Sequence, residues 1–244
     1  MSLIIPNWPA PKQIKAFNST REGGYSMAPF SGLNLGMHVG DDPLVVARNR
    51  QWLMQHANMP SSPIWLNQTH STRVIQVTKP SDNVLDADGV ITSAAGVVCS
   101  AMTADCLPVL ITNCQGNQVA AVHAGWRGLA AGIIENALEY FSDDVLVWLG
   151  PAIGAQAFEV GQEVKDTFCA DDVRAQQAFQ PLGKDGKWLA NLALLAQLRL
   201  AKIGIDQVYH SHLCTFQNPQ QFYSYRRDGV TGRQASFIWI DPST

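Results

Sequence analysis

"GVVCSAMTADCLPVLITNCQGNQVAAVHAGWRGLAAG", residues 96–132, carries three apolar runs in quick succession. "GVVCSAMT", "CLPVLIT" and "NQVAAVHA" are each short, and the last two are joined by "NCQGN", a Gly- and Asn-rich hairpin signal. Runs of this length with β-branched residues read as central strands. The third leads directly into "GLAAGIIENALEYF", where Leu129, Ile133, Ala137 and Phe141 recur on one helical face. A hairpin feeding a helix is therefore the expected centre of the fold.

Outward from this centre, "DDPLVVARNRQWLMQHANMP" opens with an Asp cap and a Pro at the first helical position. It places Val45, Asn49, Trp52 and His56 at helical spacing, which predicts a helix over about 43–57. "PIWLNQTH" and "TRVIQVT" bracket a polar turn and read as two strands, with His70 near the turn. "DVLVWLG" is a further strand, and "GPAIGAQAFEVG" is a loop. Helices are expected over about 159–169 and 188–203, and "ASFIWI" is the last strand. Strands outnumber helices without alternating regularly with them, so the fold class is α+β, with mixed β-sheets layered with helices. No linker divides the chain, and residues 1–244 read as a single domain.

The 244 residues, 46% of them hydrophobic, suffice for a sizeable core, and a net charge of −3 gives no general pull toward nucleic acid or an anionic membrane. Small-molecule partners are expected, with any anion site local. "MSLIIPNWPAPKQ" has no basic n-region and too short an apolar run for a signal peptide, and no segment is long and apolar enough to span a bilayer. The expectation is a cytoplasmic protein, in which five cysteines are free thiols or metal ligands.

His70, Cys106 and His123 each sit at an expected strand end beside a loop, where residues distant in sequence converge. A catalytic zinc site takes three protein ligands and keeps one position open, and His, His and Cys are suitable donors. Against this stand the ordinary readings: a cysteine at a strand end is usually a small buried hydrophobe, and a histidine there is often structural. Cys99, Cys114 and Cys169 read as core or surface thiols. A rival set is "YHSHLCTF", where His210, His212 and Cys214 share one face of a strand. Three alternate residues on one strand span about 13 Å and close poorly on one ion.

"HAGWRGL" lies between a strand and a helix start, where unpaired N–H groups favour an anion, and Arg127 there can fork onto phosphate or carboxylate. As a simple alternative, Arg127 is a surface charge and the glycines only turn the chain. "SGLNLGMHVGDD" leads into the helix that carries Arg50, a second place for an anion or a ribose. Arg226 and Arg227 in "YSYRRDGVTGR" are as readily a solvated turn as a binding loop. His38, His56 and Trp126 read as structural.

"TREGGYS", "LNLGMHVGDD", "NQTH", "MTADCLPVL", "HAGWRG", "GPAIGAQAFEVG" and "SYRRDGVTGR", in this order over about residues 17–241, resemble the bacterial YfiH family, also called the multicopper polyphenol oxidase or laccase-domain family. The resemblance implies a single α+β domain related in fold to the deamidase domain of cytotoxic necrotizing factor toxins. It also implies a metal site, usually assigned to zinc, on His70, Cys106 and His123. The rival 210–214 set loses ground, because the family pattern keeps only the Cys-Thr there.

The resemblance further implies phosphorolysis of adenosine, inosine, guanosine and methylthioadenosine, together with deamination of adenosine. Arg50 and Arg127 would then neutralise phosphate, with Asn34 near the ribose; Asp105 and Glu159 are candidates for protonating the leaving purine. Six histidines with one H-x-H pair do not suffice for a genuine multicopper oxidase, although copper at a His, His, Cys site in vitro is compatible with weak phenol oxidation. Two other classes stay open. One is a thiol amidase with Cys106 as nucleophile and His123 as base, the other an editing role on a muropeptide-type precursor.

Overall fold

A computed structural model describes residues 2–183 and 186–243. The hairpin expected from "NCQGN" lies at its centre: strands Leu107–Asn113 and Val119–Ala124 pair antiparallel, with Pro108 opposite His123. They sit in a six-stranded sheet ordered Val208–His210, Val145–Leu149, Leu107–Asn113, Val119–Ala124, Gly89–Thr92, Val74–Gln76. A second sheet of four strands runs Leu3–Ile4, Ile14–Ser19, Gln234–Ile240, Cys99–Thr103.

Side-chain alternation explains why the two sheets stack. In the central hairpin Leu107, Val109, Ile111, Ala120 and Val122 face a core shared with the helices, while Leu110, Val119 and Ala121 face a second core shared with Ile14, Cys99, Ala101 and Ile238 of the four-stranded sheet. The outer face of that sheet presents Phe17, Met102, Ala235, Phe237 and Trp239, and packs with Leu53 of helix Pro43–His56. The chain is thus layered helix, sheet, sheet, helix, the α+β arrangement expected. Both central strands are buried on both faces, which is why they read as continuous apolar runs.

Helix Pro43–His56 starts where the Asp-Pro signal puts it, with the Asp42 side chain accepting from Leu44 N. Its buried face is Val46, Asn49 and Leu53, one residue round from Val45 and Trp52. The helix expected from "GLAAGIIENALEYF" is two, Trp126–Ala130 and Ile133–Leu138, broken where Gly132 takes φ 96°. The helix expected over 188–203 begins only at Leu192, because Asn191 caps it and Lys187–Ala190 is drawn into a three-stranded sheet with Glu159–Gly161 and Phe179–Pro181. The same sheet delays the helix expected from 159, which runs Gln162–Asp171. The runs around His70 do not pair with each other. Leu66–Asn67 pairs parallel with Leu85–Asp86 and Val74–Gln76 with Gly89–Thr92, so the segment between them is an open loop. Among the described residues no helix is long and apolar enough to cross a membrane.

Candidate metal centre

The site grows out of three chain segments that meet at one end of the stacked sheets. By the strand alternation, His123 follows Val119 and Ala121 onto the face between the sheets. Cys106 immediately precedes strand Leu107–Asn113, after Asp105, whose φ of 97° turns the chain into the strand. His70 comes from the 68–73 loop with φ 61°, a left-handed conformation that a non-glycine residue keeps only when its surroundings hold it there.

Asp88 provides that hold. Fully buried, it accepts hydrogen bonds from Thr69 N, His70 N, Ser71 N and Ser71 Oγ, which fixes the His70 loop. The same carboxylate accepts from His123 Nδ1 at 2.8 Å, while the Asp88 carbonyl accepts from His123 N. His123 Nε2 is thereby left for a ligand, and a carboxylate behind a histidine is the usual outer support of a metal-binding imidazole. The imidazole rings of His70 and His123 stand edge to face, their centroids 4.8 Å apart, and Cys106 Sγ lies 3.6 Å from His70 Nε2. The donor atoms of His70, Cys106 and His123 all lie within 4.8 Å of one another. Two imidazoles and a thiol at this spacing, one buried and two accessible, suit one tetrahedral ion with a position open to solvent.

The three groups also set one another's charge. Burial alone pushes the Cys106 thiol up, but the His123 charge and hydrogen bonds from His123 and His70 outweigh it and hold the thiol at about 6. For His123, burial acts to lower its pKa, and the Cys106 charge with the Asp88 hydrogen bond reverses this, raising it to about 9. Asp88 lies well below the usual carboxylate range: burial opposes ionisation, and the bonds from His123 and Ser71 overcome it. Gly125 closes the back of the site. A Cβ there would meet His70 Cδ2 at 2.5 Å and Cys106 Sγ at 3.1 Å.

The three residues open onto a cavity of about 400 Å³ lined also by His38, Gln68, Met102, Thr103, Ala104, Tyr225 and Arg233, a size that accommodates a small ligand. Gln68 is committed to its wall, donating to Met102 O and accepting from Met102 N, both at 2.8 Å.

Residues 15–241 match the sequence signature of the multi-copper polyphenol oxidoreductase laccase family. The chain belongs to this laccase-domain, or YfiH, family. A Haemophilus influenzae relative named purine nucleoside phosphorylase is 50% identical, over 99% of this chain and all of its own length. The Escherichia coli relative, named purine nucleoside phosphorylase YfiH, is 48% identical over 98% of both chains. Among solved structures, a Neisseria meningitidis protein superposes with a TM-score of 0.94 at 44% identity, covering 99% of this chain and 100% of the other. YlmD from Geobacillus stearothermophilus gives 0.86 at 30% identity, covering 96% and 94%. The family's name speaks of several coppers, yet among the described residues His70, Cys106 and His123 are the one group of three donors able to share an ion.

The residues that the sequence of this laccase-domain protein offers for phosphate, ribose and proton transfer do not line the cavity. The Arg50 guanidinium donates from Nε and Nη2 to Leu35 O and lies 3.7 Å from the Trp65 ring. Arg127 is exposed, folded over Trp126 in a helix of only five residues. Asn34 is buried, its Oδ1 accepting from Gly36 N and Arg233 N. The Asp105 carboxylate accepts from Thr215 Oγ1 and Arg226 N, and Glu159 lies 3.7 Å from Lys187 Nζ on the three-stranded sheet.

In the rival set, the rings of His210 and His212 stack at 5.3 Å, while Cys214 Sγ accepts from Gly154 N. Sequence reasoning missed Asp88, which looks like a turn residue in "DADGV", as well as Arg233 and Thr103. His38, read as structural, is exposed on the cavity wall.

Proposed function

We propose that this protein is a zinc-dependent purine nucleoside phosphorylase, acting on adenosine, inosine, guanosine and methylthioadenosine, with adenosine deamination as a second activity of the same centre. The observation that carries the reading is the convergence of His70, Cys106 and His123 on one cavity of nucleoside size. The names of relatives up to 50% identical over the whole chain support it. His, His and Cys favour zinc over a hard cation, and copper is the in vitro alternative. When bound, the ion supplies a Lewis-acidic centre for the polar groups of the substrate.

The chain's own residues supply the rest. Asp88 keeps His123 in the tautomer with Nε2 toward the cavity and fixes the His70 loop, so the donors are in place before substrate arrives. Tyr225, 62% exposed on the cavity wall, offers a ring on which a purine stacks. A cytoplasmic setting is consistent with five free cysteines.

The deciding experiment is chromatography of inosine and adenosine incubated with metal-analysed protein, with and without phosphate, beside Cys106→Ala. The expected result is phosphate-dependent hypoxanthine and adenine, lost in the variant. Intact nucleosides in the presence of stoichiometric zinc overturn the reading.

One observation favours a second reading. A Cys106 thiol held at about 6 beside a protonated His123 is also the pair of a thiol amidase, acting on an amide such as a muropeptide precursor. Alkylation abolishing activity that survives chelation would select it; loss of activity with the metal selects the phosphorylase.

A further inference from the structure

Phosphorolysis requires an anion beside the sugar, and neither Arg50 nor Arg127 lines the cavity. We propose that Arg233, with the Thr103 hydroxyl, forms the phosphate subsite of the centre, and that Asn34 and Arg50 are positioning residues behind it. The proposal rests on the phosphorylase reading and adds to it the residues that take the nucleophile.

Arg233 is the arginine of the cavity wall. Its Nη1 donates to Thr231 O and Gly232 O, which orients the guanidinium, while Nε and Nη2 donate to no protein group among the described residues. No carboxylate forms an ion pair with it among the described residues, although Cys106 and Asp105 are near enough for their charges to act on it. Two donor nitrogens of a partly buried guanidinium that still reach the cavity are free to fork onto an anion. Thr103 makes the second, independent case. It is 1% exposed, it lines the same cavity, and its Oγ1 is buried with no hydrogen-bond partner. The sheet register sets Thr103 opposite Gln234, the residue after Arg233, so both groups lie at one end of the four-stranded sheet.

The residues behind Arg233 fix its backbone. Asn34 Oδ1 accepts from Arg233 N at 2.9 Å, and Leu35 N donates to Arg233 O. Arg50 in turn holds Leu35 O with two donors. In the reaction, an oxygen of hydrogen phosphate bonds to C1′ as the bond from C1′ to the purine nitrogen breaks. The electron pair leaves with the purine, and the proton that the phosphate gives up balances the one the purine takes. Arg233 and Thr103 hold the phosphate oxygens that do not react.

The test is titration of the zinc-loaded protein with inorganic phosphate by ³¹P line width and calorimetry, beside the KM for phosphate. Loss of a charge-assisted contact raises the phosphate Kd roughly 10- to 100-fold in Arg233→Gln, and loss of a neutral hydroxyl raises it roughly 2- to 10-fold in Thr103→Val. Arg127→Gln leaves it unchanged. Phosphate binding that survives in Arg233→Gln, or that is lost in Arg127→Gln, overturns the assignment. Should Arg233→Gln fail to fold, Thr103→Val decides: an unchanged Kd there overturns it. A protein that binds phosphate through Arg233 yet cleaves no nucleoside keeps the subsite and rejects the phosphorylase, while a wild-type chain that binds no phosphate rejects the subsite.

Discussion

Asp88 Oδ1 lies 2.8 Å from Nδ1 of His123, and the same carboxylate accepts three backbone N–H groups of the loop that carries His70. One buried carboxylate therefore positions two of the three candidate metal donors. Asp88→Asn removes the charge and leaves one oxygen to do the work of two. The expected outcome is a loss of zinc affinity of roughly 10- to 100-fold, read by competition with a chromogenic chelator. Unchanged affinity would mean that packing alone orients the donors.

The Asp88–His123 pair also makes a signed prediction about pH in the metal-free protein. Asp88 is depressed in the folded chain, so its stabilisation is present above its unfolded value of about 3.9 and fades as pH falls below it. His123 is raised to about 9 by the Cys106 charge and, with it, the Asp88 bond, so its part is complete below its unfolded value of about 6.5 and fades as pH rises through about 9. The difference in melting temperature between wild type and Asp88→Asn is therefore largest between about pH 4 and 6.5 and shrinks on both sides. A difference independent of pH would show that the pair is not ionised.

Gly125 separates metal binding from folding. Its φ of −64° and ψ of 159° suit any residue, so alanine meets no backbone obstacle. The new Cβ instead falls on His70 Cδ2 and Cys106 Sγ. Because His70 is exposed, the side chain moves outward and the cavity keeps its walls. Gly125→Ala is expected to melt in chelator within a few degrees of wild type and to bind less than stoichiometric zinc. Full zinc content in the variant would show that the site has room to spare.

Much of this arrangement is legible in the sequence, and the physical reasons for the rest are specific. The 107–124 hairpin is legible because "NCQGN" marks its turn, and both strands are buried on both faces. His70, Cys106 and His123 stand out because each lies where an expected strand meets a loop. The break at Gly132 is hidden, since the face Leu129, Ile133, Ala137 keeps its helical spacing across it. The parallel pairings that open the His70 loop depend on partners 15 to 19 residues away (74 with 89, 66 with 85), beyond any local pattern. Arg233 was masked by its neighbours: Arg226 and Arg227 draw the eye in "SYRRDGVTGR", yet they bond to Glu159 O and to the carbonyls of Thr215, Phe216 and Phe222.

Cys106 gives a chemical readout of the same centre. With chelator present, its thiolate fraction rises through about pH 6, well below an ordinary thiol, so iodoacetamide should modify it in preference to Cys99, which is fully buried and pushed up. The rate is expected to be near its plateau at pH 7 and to fall roughly tenfold by pH 5, as the proton returns to sulfur. Zinc should abolish the modification at every pH, because the sulfur lone pair is then committed to the ion. A rate that keeps rising through pH 8 would show that His123 and His70 do not stabilise the thiolate.

Arg50 separates stability from chemistry in the opposite sense to Gly125. Its two donors satisfy Leu35 O, and burial lowers its pKa to about 10, so the side chain acts as a strut between helix Pro43–His56 and the loop that supports Arg233. Arg50→Met keeps much of the apolar packing against Trp65 and leaves that carbonyl without its donors. The expected destabilisation is about 2 kcal/mol in urea unfolding, from the unpaired carbonyl and the lost cation–π contact. Zinc stoichiometry should stay intact, because none of the three donors touches this strut. A variant as stable as wild type would show that Leu35 O finds water instead, and that the loop behind Arg233 stands without Arg50.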